Sequence, residues 1–204
     1  MIQIMMDWLA GNQIEVLGAI LGIAYIFFST RQNILTWPTG LLTSLFYIVI
    51  FYRSKFYADM GLQVYYVFIS IYGWYFWLRG KKTDHGNKAP VRTTPQNLWI
   101  LLAFITLALY FILLLILKRM TDSDVPYMDS LTTALSITAT WMLAKKYIEH
   151  WLIWIFVDLL STGLYIYKNL WPTVILFGIY TAMAVFGYLN WKKDIHQQQI
   201  ERIG

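Results

Sequence analysis

HWLIWIFVDLLS, residues 150–161, is an apolar run interrupted by a single carboxylate, Asp158. Successive residues of a helix advance by 100°, so spacings of three, four and seven share a face. On that rule Trp151, Trp154, Asp158, Thr162 and Tyr165 fall within about 80° of one another. The apolar stretch extends over residues 150–167, and Asp158 stands near its middle. A charge at the centre of a bilayer costs about 2.5–3.5 kcal/mol on insertion scales, so this carboxylate is expected to face protein or a wet cavity. Two Trp and one Tyr beside a carboxylate suit a flat cation. The rings offer π faces and the carboxylate offers charge and acceptors. The plainer alternative is structural: Asp158 bonds a Ser or Thr of a neighbouring helix and the Trp rings pack. The stretch alone leaves both open.

The rest of the chain sets this helix in a membrane. Of 204 residues, 58% are hydrophobic and 13% charged, against about 45–50% and about 25% in soluble domains. Mean hydropathy is +0.52. A water-soluble domain of this size does not bury so much apolar surface. Cysteine is absent, which excludes disulfides and thiolate metal sites. Spans of about 20 apolar residues are expected at 14–30, 36–52, 57–78, 97–117, 129–144, 150–167 and 171–191. Arg79 to Gln96 is the longest polar stretch and reads as a loop. The net charge of +5 lies in short gaps between apolar runs, a pattern of membrane topology rather than of nucleic-acid binding. No cleavable leader is expected from MIQIMMDWLAGNQIE.

An internal repeat organises these spans. Trp37 and Trp151 are 114 residues apart, and the same offset superimposes Leu45 on Leu159, Leu62 on Leu176, Tyr66 on Tyr180, Gly73 on Gly187 and Trp77 on Trp191. Glu15 meets Asp129, and Arg31 meets Lys145. The reading is an all-α integral membrane protein of seven helices in a 3+1+3 arrangement with parallel repeats. Its parts are a first repeat at 12–79, a loop and connector at 80–128, a second repeat at 129–193 and a polar tail at 194–204. The connector span is Leu-rich on every face, as a lipid-exposed helix should be. Transporters built from parallel repeats hold substrate near the bilayer midplane.

Other faces carry weaker signals. In the third span Gln63, Tyr66, Ser70, Trp74 and Trp77 form a comparable stripe, though Trp near a span end also suits an aromatic belt. Glu15 and Asp129 open helices, where capping explains a carboxylate. Gly18 and Gly22 form a small-residue packing face. His85, His150 and His196 lie in loops or at span ends, so no haem ligand is expected. No phosphate-binding glycine loop, H-E-x-x-H or G-x-S-x-G is present, so no enzyme is expected, and no cofactor or metal.

The run from His150 to Ser161, preceded by Lys145 and Lys146, resembles the W-x-x-W-x-x-x-N signature of PnuC-type vitamin transporters. FYADMGLQVYYVFISIYGWYFW, Phe56 to Trp77, resembles their third helix, and the likeness covers nearly the whole chain. It implies a fold similar to SWEET sugar transporters, often in a homotrimer. It also implies uptake of nicotinamide riboside or a related vitamin across a bacterial inner membrane, by facilitated diffusion with trapping by a cytoplasmic kinase. The substrate-binding set it implies is Trp151, Trp154, Asp158 and Gln63, with Tyr66 and Trp74 beside it. One position departs: the signature ends in Asn, and here Asp158 stands there. A carboxylate only accepts hydrogen bonds and carries charge. That suits thiamine, a cation with a donating amino group, so thiamine is slightly favoured over nicotinamide riboside. A non-transporting membrane scaffold is the competing class; it has no use for a central carboxylate between two Trp.

Eleven of the sixteen Lys and Arg lie on one side of these spans, the side of Arg31, the 79–96 loop, Lys145 and the C-terminal segment. Positive residues collect in the cytoplasm. A reporter fused after Gly204 is therefore expected to be active only in the cytoplasm, and periplasmic activity would overturn the orientation.

Overall fold

The computed structural model describes residues 13–53, 57–79, 90–121, 124–167, 169 and 171–201. Among them are seven α-helices: α1 (Gln13–Thr30), α2 (Thr36–Arg53), α3 (Tyr57–Arg79), α4 (Gln96–Met120), α5 (Pro126–Ala144), α6 (His150–Tyr167) and α7 (Trp171–Glu201). The chain packs as two compact units, Met1–Arg79 and Gly80–Gly204. The first holds α1 to α3, and the second holds the connector α4 with α5 to α7.

The described boundaries follow the hydropathy closely, with two departures. α5 starts three residues earlier than expected because Pro126 occupies its first turn, where a missing N–H costs nothing. α7 runs on to Glu201 through residues read as a polar tail. Lys, Gln and Glu there are good helix formers, so the helix outlasts its apolar segment. At 1.5 Å per residue its 31 residues measure about 46 Å, well beyond a hydrocarbon core of about 30 Å.

α4, α6 and residues 173–198 of α7 are long and apolar enough to cross a membrane by length and composition. α5 is more polar because it buries Ser130, Ser136, Thr138 and Thr140. Ser130 donates to the Pro126 carbonyl at 2.6 Å and Thr140 to that of Ser136 at 2.7 Å. Such back-bonding is how hydroxyls are carried through an environment without water. α4 buries only Leu102 and exposes Ile100 and Phe104, each at 70%, as expected of a lipid-facing connector.

Each unit turns from its first repeat helix into its second by the same device. Gln32 donates to the Ser29 carbonyl and Asn33 to Phe28; 114 residues on, Lys146 donates to Leu143 and Tyr147 to Met142. These are the paired bonds of a Schellman turn. Its left-handed residue is Gln32 (φ 50°) in one unit and Lys146 (φ 59°) in the other. The bonds that start the next helix correspond as well, Thr36 to Asn33 and His150 to Tyr147.

A joint then fixes the second helix against the third. Trp37 and Trp77 meet edge to face, centroids 5.3 Å apart at 90°. Trp151 and Trp191 do the same at 5.9 Å and 86°. A Cβ on Gly73 would lie 2.3 Å from the Trp37 ring, and one on Gly187 would lie 2.6 Å from the Trp151 ring. Trp77 is 4% exposed, so its ring belongs to this joint and not to a lipid-facing belt. In α1, Gly18 likewise lets the Tyr47 ring approach to 3.1 Å of where a Cβ would stand.

The connector is stapled to the second unit's turn. Arg92 and the α5–α6 turn exchange backbone bonds, Arg92 N–H to Lys146 O at 2.9 Å and Ile148 N–H to Arg92 O at 3.0 Å. The Thr94 hydroxyl donates to Glu149 Oε2 at 2.7 Å and its N–H to Oε1 at 3.0 Å. The end of the stretch expected to be a loop is thus ordered by contacts 55 residues away.

The joint yields a sharp contrast between glycines. Gly73→Ala and Gly187→Ala force a methyl into an indole, which should cost about 1–3 kcal/mol or more by overpacking. Gly61, Gly163 and Gly178 have nothing within 4 Å of the place where a Cβ would stand, so alanine there should be neutral or favourable by up to about 1 kcal/mol. Melting temperatures of the purified variants check this; equal behaviour of the two sets would show that the joint contributes nothing.

Candidate functional site

In the second unit the buried side of α6 consists of His150, Trp151, Val157, Asp158 and Ser161. The face drawn from spacing is therefore the inward one, and it divides into two parts. Trp151 is 3% exposed and committed to the joint with Gly187 and Trp191. Among the described residues its indole N–H has no partner. Trp154, one turn on, is only half-buried, so its ring is not consumed by packing. Thr162 and Tyr165 are half-buried too, and the Tyr165 ring lies 4.9 Å from that of Phe177.

Asp158 is 5% exposed. The structural alternative requires a hydroxyl donor on its carboxylate. Thr162 does bond this residue, but to its backbone carbonyl, at 2.7 Å. Among the described residues no donor reaches the carboxylate oxygens. A buried carboxylate without a partner is costly. Interhelical glue does not account for it.

His150, which the sequence left without a role, is fully buried. Its Nδ1 lies 2.6 Å from the Tyr147 carbonyl. That contact makes Nδ1 the protonated nitrogen and leaves Nε2 as an acceptor with no partner among the described residues. The ring packs 4.5 Å from Trp151 and 4.8 Å from Trp191. The repeat held the clue: Thr36 occupies the matching position and its hydroxyl bonds the matching carbonyl, Asn33, at 2.7 Å.

In the first unit Gln63, Tyr66 and Trp74 lie along α3 and all are half-buried, while Ser70 and Trp77 on the same stripe are buried. Tyr66 packs beside Tyr65 with centroids 5.6 Å apart. Ser44, the repeat counterpart of Asp158, is 3% exposed and its hydroxyl is satisfied by the Gly40 carbonyl at 2.9 Å. The inward polar position thus recurs, but in the second unit it is a carboxylate that no donor reaches among the described residues. Asp129 stands in the first turn of α5, where capping was expected of it. The side chain of Glu15 lies outside the described residues. No group of His, Asp and Glu suited to a metal occurs among the described residues.

Long apolar helices and a buried carboxylate that no donor reaches among the described residues are features of multi-pass helical membrane transporters. Residues 12–193 match the family model described as nicotinamide mononucleotide transporter, and the chain belongs to that family. The nicotinamide riboside transporter PnuC of Escherichia coli K12 is 23% identical over 201 residues, covering 87% of this chain and 84% of the relative. PnuC of Neisseria mucosa is 25% identical, covering 92% and 73%. The riboflavin/roseoflavin transporter RibM of Streptomyces davaonensis is 26% identical, covering 87% and 83%. Among solved structures, a crystal structure of the vitamin B3 transporter PnuC matches with a TM-score of 0.73 at 22% identity, over 96% of this chain and 88% of that one. The fold is shared, and the resemblance read from the Trp-Trp signature and the third helix is borne out.

The unpaired state of Asp158 has a measurable consequence. Asp158→Asn removes charge and no hydrogen bond, so the ligand-free protein should melt at the same temperature or higher. A structural carboxylate would instead cost about 1–3 kcal/mol on replacement, or several degrees for a chain of this size. A fall of that extent would return Asp158 to a structural role.

Proposed function

We propose that this protein carries nicotinamide riboside, or a vitamin of the same build, across the bacterial inner membrane. The observation that carries the reading is the buried carboxylate of Asp158, without a partner among the described residues, one turn from the half-buried ring of Trp154. Nicotinamide riboside is a flat pyridinium with a carboxamide. A carboxylate balances the ring charge and accepts from the amide N–H, and an indole face takes a cationic ring. Relatives named for nicotinamide riboside and for riboflavin support this substrate over thiamine. The slight preference for thiamine drawn from Asp158 finds no support in those names and is withdrawn.

Trp154 and Asp158 are assigned to the ring, with Gln63, Tyr66 and Trp74 as further contacts. Trp151 is assigned first to holding α6 on α7; its unpaired indole N–H is a donor for substrate or water. Transport runs down the gradient, with the cytoplasmic side at the C-terminus, and phosphorylation by a kinase inside the cell keeps the product from returning. Homotrimer assembly is part of the same proposal.

Melting-temperature screening against nicotinamide riboside, riboflavin and thiamine tests the substrate, since a ligand of the native state stabilises by mass action. Nicotinamide riboside is expected to stabilise most, and to drive saturable flux into proteoliposomes. Trp154→Ala should weaken its binding by about 1–3 kcal/mol, roughly ten- to a hundredfold. Saturable flux of thiamine alone would restore the discarded substrate. No flux of any of the three would favour a scaffold.

A further inference from the structure

A carrier changes its facing twice in each cycle, once with substrate and once without. The Asp158 carboxylate takes part both times. It stands eight residues beyond the start of α6, about 12 Å along an apolar helix at 1.5 Å per residue, and is 5% exposed. A bare charge deep in a bilayer is costly, and a buried one persists only when paired or neutralised. In the loaded carrier a pyridinium ring pairs it. In the empty carrier the balance has to come from elsewhere.

The helices around Asp158 do not supply it. α6 packs against α5 and α7. On α6 itself, His150 is enclosed by Trp151 and Trp191, and Tyr165 is set against Phe177. α5 carries Asp129 in its first turn. The α5–α6 turn carries Lys145, Lys146 and Glu149, more than two helical turns before Asp158. α7 carries Tyr180 and Tyr188 and, beyond Trp191, the charged end Lys192 to His196. Among the described residues none of these acts on the Asp158 carboxylate, whose surroundings are set by burial alone. The one hydroxyl beside it, on Thr162, is spent on the main chain.

We propose that the empty carrier changes facing with a proton on Asp158, so that the protein exchanges one proton for each vitamin cation it carries. The inference rests on the transport reading above and deepens it. The entering pyridinium displaces the proton to the side the ring came from, and an ion pair of no net charge remains. On the other side the cation departs, and the carboxylate takes a proton from the water that replaces it. The O–H bond of the carboxyl group is all that breaks and forms. One cation goes inward and one proton outward. Both forms that change facing are neutral at Asp158, so the cycle moves no net charge. The membrane potential then neither drives nor opposes uptake, and accumulation falls to the trapping kinase.

The test uses the full-length purified protein in proteoliposomes under two separate gradients. With the potential clamped at zero, vesicles that are acid inside should accumulate nicotinamide riboside by up to about tenfold per pH unit of gradient. At equal pH, a potassium diffusion potential, negative inside, should produce no accumulation. Accumulation driven by the potential, or none driven by the pH gradient, would overturn the exchange while leaving the transport reading intact. Flux of uncharged riboflavin without flux of the riboside would overturn the exchange and leave a vitamin carrier. No flux of either would overturn both readings. Binding gives an independent check, because a proton that the vitamin displaces must in turn weaken the vitamin. Riboside affinity should rise with pH between about 5 and 8, by up to about tenfold per unit, and Asp158→Asn should abolish the dependence. Asp158→Ser, which copies Ser44, serves if Asp158→Asn melts early. A wild-type affinity independent of pH, or a dependence that survives in the neutral variant, would overturn the role of Asp158.

Discussion

A tryptophan ring laid on a glycine is the contact on which each three-helix repeat depends. In a bilayer, lipid tails are as apolar as leucine, so helices gain little by hiding apolar surface and must gain by fit. Trp37 on Gly73 and Trp151 on Gly187 supply that fit, and Trp77 and Trp191 close it edge-on. Edge-to-face ring pairs contribute about 0.5–1.5 kcal/mol beyond area. Both joints also leave an indole N–H buried and, among the described residues, unpaired, a cost of about 1–3 kcal/mol for each donor. That the same cost recurs in both units indicates how much the ring fit returns. With Trp151 pinned at the start of α6, the helical period sets where Trp154 and Asp158 stand, three and seven residues on.

The frame was largely legible in the sequence, because it is written in properties that hydropathy and spacing report. The described bounds of α6 equal the apolar run at 150–167, and the constant offset of Trp, Gly and Trp already contained the joint. What spacing did not separate was packing from recognition. Trp151 and Trp154 share a face, and a helical wheel assigns them one role. Only the glycine opposite Trp151 tells them apart, and it lies on another helix. The Thr94–Glu149 staple was hidden for a related reason: its partners are 55 residues apart and neither residue type is unusual in a loop. The extension of α7 was missed because hydropathy measures where the bilayer ends, not where the helix ends.

Asp158 shows the tension between folding and function most plainly. Its counterpart Ser44 satisfies its own hydroxyl on the carbonyl four residues back and asks nothing of its neighbours. A carboxylate has no proton to donate to that carbonyl when ionised, so the same position in the second unit cannot be made self-sufficient. The hydroxyl of Thr162, one turn on, bonds the main chain instead. The second unit therefore carries an unmet acceptor that the first does not. The α5–α6 turn ahead of that helix is also the one held by the connector through Arg92 and Thr94. The connector's staple and the unmet carboxylate belong to the same unit.

Duplication explains how such a site arises without loss of the fold. The turn geometry tolerates Gln32 in one copy and Lys146 in the other, although a left-handed backbone favours glycine at both. What the two copies keep is therefore the shape of the turn and the ring-on-glycine joint, and the residues between those fixed points were free to diverge. The lining differs: Tyr25 lies against Gly40 in one unit, where the matching positions of the other hold Ala139 and Trp154. Chemistry differs with size: a phenol and a serine hydroxyl stand in one unit, an indole and a carboxylate in the other.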